Sequence, residues 1–243
     1  MKKIFLTLLL ALSFVVNAQY YSITYVNVPP ENQAEFASIE TTYWSKVAKA
    51  AIDAGKQSAW GLVAAVGGVP NGWTHAFINV YETAEDLANS PSNWDSQSVL
   101  GIDASLLNTV KLTEGGFNFQ NWAVQTSLSA GERTPESVTV WNFARPKNLA
   151  GFIDENKNLW KRVFERDMGG RISWGVGLKL NNRSQDLSSV MTWDRYPSLA
   201  DALKALNNYG GQLPRQSKMQ EYDPDGWTAQ VIVSDVMWID ANQ

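Results

Sequence analysis

Hydrophobic and polar positions along this chain follow two periods in turn, and the succession is written twice. In the C-terminal half, Ser137 to Phe143 is rich in β-branched and aromatic residues, which predicts a strand. After Pro146 the apolar residues Leu149, Phe152, Ile153, Leu159, Trp160, Val163 and Phe164 share one face at about 3.6 residues per turn, so an amphipathic helix is predicted up to Gly169-Gly170. Ile172, Trp174, Val176, Leu178 and Leu180 then alternate with smaller or polar residues, as a half-buried strand requires. Asn181 to Gln185 is a turn cluster, Leu187 to Trp193 the returning hairpin strand, Pro197 to Asn207 a second helix, and Trp227 to Ile239 a closing strand.

The N-terminal half repeats this order. Strands are predicted at Tyr20 to Val28, Ser58 to Val66, Trp73 to Tyr81 and Phe117 to Gln125; a long helix covers Glu31 to Ala54, and further helices lie between Ala84 and Val110. The two halves also match residue by residue. Trp60-Gly61 faces Trp174-Gly175, Tyr43-Trp44 faces Leu159-Trp160, Tyr25 faces Trp141, and Gly116-Phe117 faces Gly226-Trp227. The matches keep their order and the interval between partners changes only where loops fall, as expected of a duplication. The polar stretch Thr126 to Glu136 marks the boundary, giving a first unit at 19–126, a connection at 127–136 and a second unit at 137–243. The order β-α-β-β-α-β predicts an α+β fold of two ferredoxin-like repeats, each an antiparallel sheet with its helices on one face. One face of each sheet would be bare alone, so the two sheets are expected to pack face to face into one pseudo-symmetric α+β barrel.

In this element order and in its repeat, over nearly all of Tyr20 to Ile239, the chain resembles a fused tandem form of the dimeric α+β barrel superfamily. That superfamily holds antibiotic-biosynthesis-type monooxygenases, NIPSNAP- and EthD-like proteins, muconolactone isomerases, haem-degrading enzymes, chlorite dismutases and dye-decolourising peroxidases. The resemblance implies a fold and two places to look for a site: between helices and sheet, or inside the barrel. It selects none of these chemistries, because one fold carries many.

The N-terminus and the charge narrow the setting. Lys2 and Lys3, the apolar stretch Ile4 to Val16 and the small residue Ala18 read as a secretory signal cleaved after Ala18, with no stop-transfer flank to make it a membrane anchor. A secreted or periplasmic soluble protein is therefore expected, and the zero cysteines mean its stability must come from its core. Without the two signal lysines, 18 basic side chains face 24 acidic ones, which argues against nucleic acid as a partner.

Eleven tryptophans are the unusual feature, and they fit either a large core or a ligand-stacking surface. Tyr25, Asn27, Trp60 and Asn79 in the first half, and Trp141, Asn142, Trp174 and Trp193 in the second, are the types that cofactor-free oxygenases of the resembled fold use to hold an electron-rich ring. His75, the single histidine, alternates with Trp73, Phe77, Asn79 and Tyr81 along its strand. His75 and Tyr81 are the candidate proton-transfer groups; the plain alternative for His75 is a hydrogen-bonded strand histidine. The haem-binding relatives place their proximal histidine in a helix or the loop after it, so no haem ligand is carried over to His75 and no cofactor is expected. One histidine and no cysteine exclude ordinary zinc sites, and Gly175-Val176-Gly177 lies inside a strand rather than at a phosphate cradle. Arg145 and Arg195 are isolated cations whose exposure to a pocket would matter.

Three functions follow from this pattern. The first is binding of a small aromatic or apolar molecule in a barrel cavity. The second is a cofactor-independent oxygenase or isomerase on the same scaffold, and the third a carbohydrate-associated accessory module with a row of outward tryptophans. Where the tryptophans point discriminates among them.

Overall fold

Eight strands close into a single antiparallel barrel in the computed structural model, which describes residues 19–67, 69, 72–92, 94–207 and 213–242. The segment read as an export signal lies outside the described residues. The strands are β1 (Tyr20–Asn27), β2 (Ala59–Val66), β3 (His75–Tyr81), β4 (Glu114–Ser129), β5 (Val138–Ala144), β6 (Ser173–Lys179), β7 (Val190–Tyr196) and β8 (Trp227–Asp240). Around the barrel they run β1-β3-β2-β8-β5-β7-β6-β4. Each half thus contributes four neighbouring strands in the same internal order, and the halves join through β2–β8 and β4–β6.

The bare sheet faces are therefore hidden by edge-to-edge closure, not by stacking two sheets. Closure removes every edge, and edges are where unpaired backbone groups would be left. β4 and β8 are longer than the other strands, at 16 and 14 residues, because their two partners are staggered along them: β4 meets β1 over residues 114–123 and β6 over 122–129, and β8 meets β5 over 227–234 and β2 over 232–240. The polar stretch after Thr126 was expected to be a connection, but its first residues are paired with β6 as far as Ser129. Tertiary pairing outweighs composition there.

Helices cover the outside. In the first half α1 (Gln33–Ile39) and α2 (Ser45–Asp53) are one continuous helix joined by a π turn at Glu40–Trp44. Short helices α3 (Ala84–Ala88) and α4 (Ser96–Leu100) follow. In the second half α5 (Leu149–Glu155) and α6 (Lys161–Arg166) are likewise joined by a π turn at Asn156–Trp160, before α7 (Leu199–Asn207) and α8 (Met219–Tyr222). Side chains feed the widened turns: Thr41 Oγ1 donates to Ala37 O, Ser45 Oγ to Thr41 O, each at 2.7 Å, and Asn156 Nδ2 to Phe152 O at 2.8 Å. No helix among the described residues is long and apolar enough to cross a membrane.

Strand alternation sorts the aromatic residues between two cores. Ile23, Tyr25, Ile78, Trp122, Trp141, Phe143 and Met191 point into the barrel, while Trp60 packs outward against Phe36 and the first-half helix and Trp174 against Phe152 and the second-half one. The repeated Trp-Gly pair follows from this. Its tryptophan faces the helices, and its glycine faces the lumen, where an indole from the paired strand lies over it: Trp238 opposite Gly61 and Trp193 opposite Gly175. A Cβ on Gly61 would stand 2.4 Å from Trp238, and one on Gly175 2.0 Å from Trp193. Gly175→Ala is therefore expected to lower stability by about 1–3 kcal/mol, the usual range for overpacking. Urea unfolding checks this, and an unchanged midpoint would contradict the seating of the indole.

Candidate functional site

The two halves treat the space between helices and barrel differently. In the second half it is filled: the Phe164 ring lies 4.9 Å from Trp174 and 5.8 Å from Trp160. At the position matching Phe164 the first half has Ala48, four residues after Trp44, and beside its sheet a cavity of about 570 Å³ remains. Its walls are Trp44, Trp60, Phe77, Trp94 and Phe117, with Phe119 and Val110 exposed at the rim. Thr24, Asn79, Asn108 and Glu40 supply the polar points. A mostly apolar hollow with a few converging polar groups is the usual form of a small-molecule site.

Glu40 is the unexpected member. It opens the π turn, is 4% exposed, and accepts a 2.6 Å hydrogen bond from Thr109 Oγ1. Burial pushes its carboxyl up to about 7, although the Thr109 bond acts in the opposite direction. At neutral pH it is thus poised between acid and base. Trp44, at the far end of the same π turn, donates from Nε1 to Leu107 O at 3.0 Å, and its ring lies 6.2 Å from Trp94. Across the cavity, the Asn79 side-chain oxygen accepts from Gln57 Nε2 at 3.1 Å, which holds the amide in place.

The expected site residues are distributed among several places. Trp60 and Asn79 face each other across the β2–β3 pairing and line this cavity. Tyr25 and Asn27 line a cup at one open end of the barrel, and Trp193 lines a second cup at the other end. Trp174 is buried in the second-half core. His75 lines none of these three cavities: it is 5% exposed, its ring lies 5.3 Å from Phe36, and Nδ1 is 3.0 Å from Thr74 Oγ1. Burial lowers its pKa, which favours the neutral ring. Tyr81 is also buried outside the three, bonded to Ser90, with its phenol pushed up by burial. Arg145 is bound to the carbonyls of Arg183 and Asp186 in the hairpin between β6 and β7, whereas Arg195 reaches the cup that holds Trp193.

Glu40 had a signal in the sequence. Phe36, Glu40 and Trp44 are spaced by four and fall on the stripe that also carries Val47 and Ala51, so a carboxylate stands on the apolar face of the helix. Trp94 and Phe117 had none, since only closure of the fold brings their segments over the helix.

An eight-stranded antiparallel barrel with helices outside is the dimeric α+β barrel architecture, here completed within one chain. Solved structures similar to it include a candidate monooxygenase from Lactobacillus acidophilus NCFM, at 12% identity and TM-score 0.60 over 92% of this chain and 96% of that one. A candidate monooxygenase from Fusobacterium nucleatum matches at 12% identity and TM-score 0.57 over 93% and 96%, and an anthrone oxidase-like protein at 12% and 0.55 over 93% and 94%. No protein-family model and no curated protein matches the sequence.

Proposed function

We propose that the helix–sheet cavity of the first half takes up a small planar aromatic molecule, and that the chain oxidises it as a monooxygenase with no tightly held cofactor. The observation that carries this is Glu40, a carboxyl at about 7 facing an aromatic-walled cavity. Such a group accepts a proton from a phenol or from a C–H activated by flanking rings, and works best near the operating pH. An electron-rich ring that has lost a proton can itself supply the electrons that O2 requires. For a ring-activated CH2, the carbon becomes a carbonyl with one oxygen atom, and the other oxygen leaves with both hydrogens as water. The fold shared with two candidate monooxygenases and an anthrone oxidase-like protein supports this reading. The tryptophans support it against a sugar-stacking module, because none of the eleven is exposed and no outward row exists. The two halves are read as ferredoxin-like repeats of one ancestral unit, supported by their common strand order and by a π turn at the matching place in each. Export remains the reading of residues 1–18 alone.

Anthrone is a suitable probe. Wild-type protein is expected to bind it with quenching of tryptophan fluorescence and to consume O2, while Glu40→Gln keeps the binding and slows oxygen uptake by about tenfold or more. Binding with no oxygen uptake would leave a carrier instead of an enzyme. Full activity in Glu40→Gln would remove Glu40 from the chemistry.

A further inference from the structure

Arg195, the cation left without a role above, sits in the second barrel cup with a partner the sequence did not suggest. This cup, of about 280 Å³, opens where β1 and β5 begin and β7 ends. Arg195 makes a forked pair with Asp235, Nη1 to Oδ2 at 2.7 Å and Nη2 to Oδ1 at 3.4 Å. Arg133, from the connection between the halves, reaches the same carboxylate with one nitrogen at 3.2 Å and stacks on Trp238 with its guanidinium carbon 3.4 Å from the ring centre. Two guanidinium groups therefore share one carboxylate. Asp240 and Glu82 act on this cup only at longer range and form no ion pair with either arginine among the described residues.

Indole rings stand in the walls of the cup. Trp193 and Trp238 lie over the lumen-facing glycines, Gly175 and Gly61, and Tyr21 packs against Trp193 at 5.7 Å. A register shift in β8 between Asp235 and Met237 leaves Val236 as a bulge, so Asp235 and Trp238, three residues apart, both line the interior. Thr139 is 3% exposed, lines the cup, and its Oγ1 has no hydrogen-bond partner. Burial and the nearby Arg195 push the Arg133 guanidinium down to about 9 against the pull of Asp235. The positive charge is thus incompletely met inside the protein.

We infer that this cup is a second binding site, separate from the helix–sheet cavity, for a small aromatic carboxylate: the ring against Trp193 and the edge of Trp238, the carboxylate on Arg133 and Thr139. The two sites share one strand, with Trp60 facing the first and Gly61 the second. The volume is just below the approximate lower bound of ordinary ligand pockets, about 300 Å³, which suits a single-ring compound. A carboxylate is the matching anion because a guanidinium donates to it through two parallel N–H groups.

Benzoate and its neutral isostere benzamide, titrated into the whole chain, test this. Benzoate is expected to bind more tightly than about 1 mM, to bind at least about tenfold more tightly than benzamide, and to lose about tenfold or more in Arg133→Gln. In wild-type protein the indole N–H signals of Trp193 and Trp238 should move with the same saturation, a readout that needs no variant to fold. Equal affinity for benzamide, undiminished binding in Arg133→Gln, no binding at millimolar benzoate, or shifts confined to Trp44, Trp60 and Trp94 would each overturn the assignment. The last result would place benzoate in the helix–sheet cavity instead.

Discussion

Glu40→Gln is expected to make the protein more stable at pH 8 and to leave its stability nearly unchanged at pH 4. In the unfolded chain a glutamate releases its proton near 4.5, whereas burial holds the Glu40 carboxyl protonated up to about 7. Between these values the folded state binds more protons than the unfolded one, so wild-type stability falls as pH rises through that window. Above it the penalty is complete and amounts to about 3 kcal/mol for a shift of this size. Glutamine keeps the shape and still accepts the Thr109 hydroxyl, but it carries no charge to bury. Thermal unfolding from pH 4 to 8 checks this: wild type should lose several degrees relative to the variant across the window. Parallel curves would show that the Glu40 carboxyl releases its proton at the same pH in the fold as in the unfolded chain. The same substitution is expected to slow oxidation, so gain of stability and loss of function should coincide, as is common where a site holds an unfavourable group.

Asp186→Asn is expected to act in the opposite direction. Lys179 ends β6 with its side chain only 4% exposed, and its Nζ lies 2.8 Å from Asp186 Oδ2. The same carboxylate accepts the Arg183 backbone N–H at 2.8 Å, and Arg145 binds the carbonyls of both Arg183 and Asp186, so the hairpin between β6 and β7 is closed by one charged cluster. The hydrogen bond from Lys179, followed by that from the Arg183 backbone, holds the Asp186 carboxyl down to about 2. Removing the charge leaves the Lys179 ammonium without its partner at the wall of the barrel-end cup, and the depressed carboxyl corresponds to about 1–2 kcal/mol once solvent screening is allowed for. Denaturant unfolding at pH 7 should show a loss of this order. Because the folded pKa is depressed, the stabilisation is present above the ordinary aspartate value and disappears as pH falls from about 3.8 toward 2. Wild type and variant should therefore converge in strong acid. A difference that persists at pH 2 would mean that the loss comes from packing instead of charge.

Local pattern and tertiary closure fix different parts of this protein. Period-two and period-3.6 stretches placed every barrel strand and the long helices close to their observed bounds, since these periods express which face is buried. The Trp44/Trp160 and Trp60/Trp174 matches also set the correspondence between halves that the strand order repeats. The site was less legible. Trp60 and Asn79 were named among its residues and line it, but Tyr25, Asn27 and Trp193 alternate onto the lumen side or barrel ends, and Trp174 meets Phe164 where the first half is open. Glu40, Trp94 and Thr109 come from three separate segments.

The sequence by itself determined the elements, their double order and the absence of cysteine and metal-thiolate chemistry, because these depend on residue type and on spacing within a few turns. Only the tertiary structure decided that the sheets join by their edges, that each Trp-Gly pair serves two opposite faces, and that the space between helix and sheet stays open beside Trp44 in the first half where Phe164 packs on Trp174 in the second. Those outcomes depend on which side chains meet across strands far apart in the chain. A difference as small as Ala48 against Phe164 acquires its meaning only once the helix lies on the sheet.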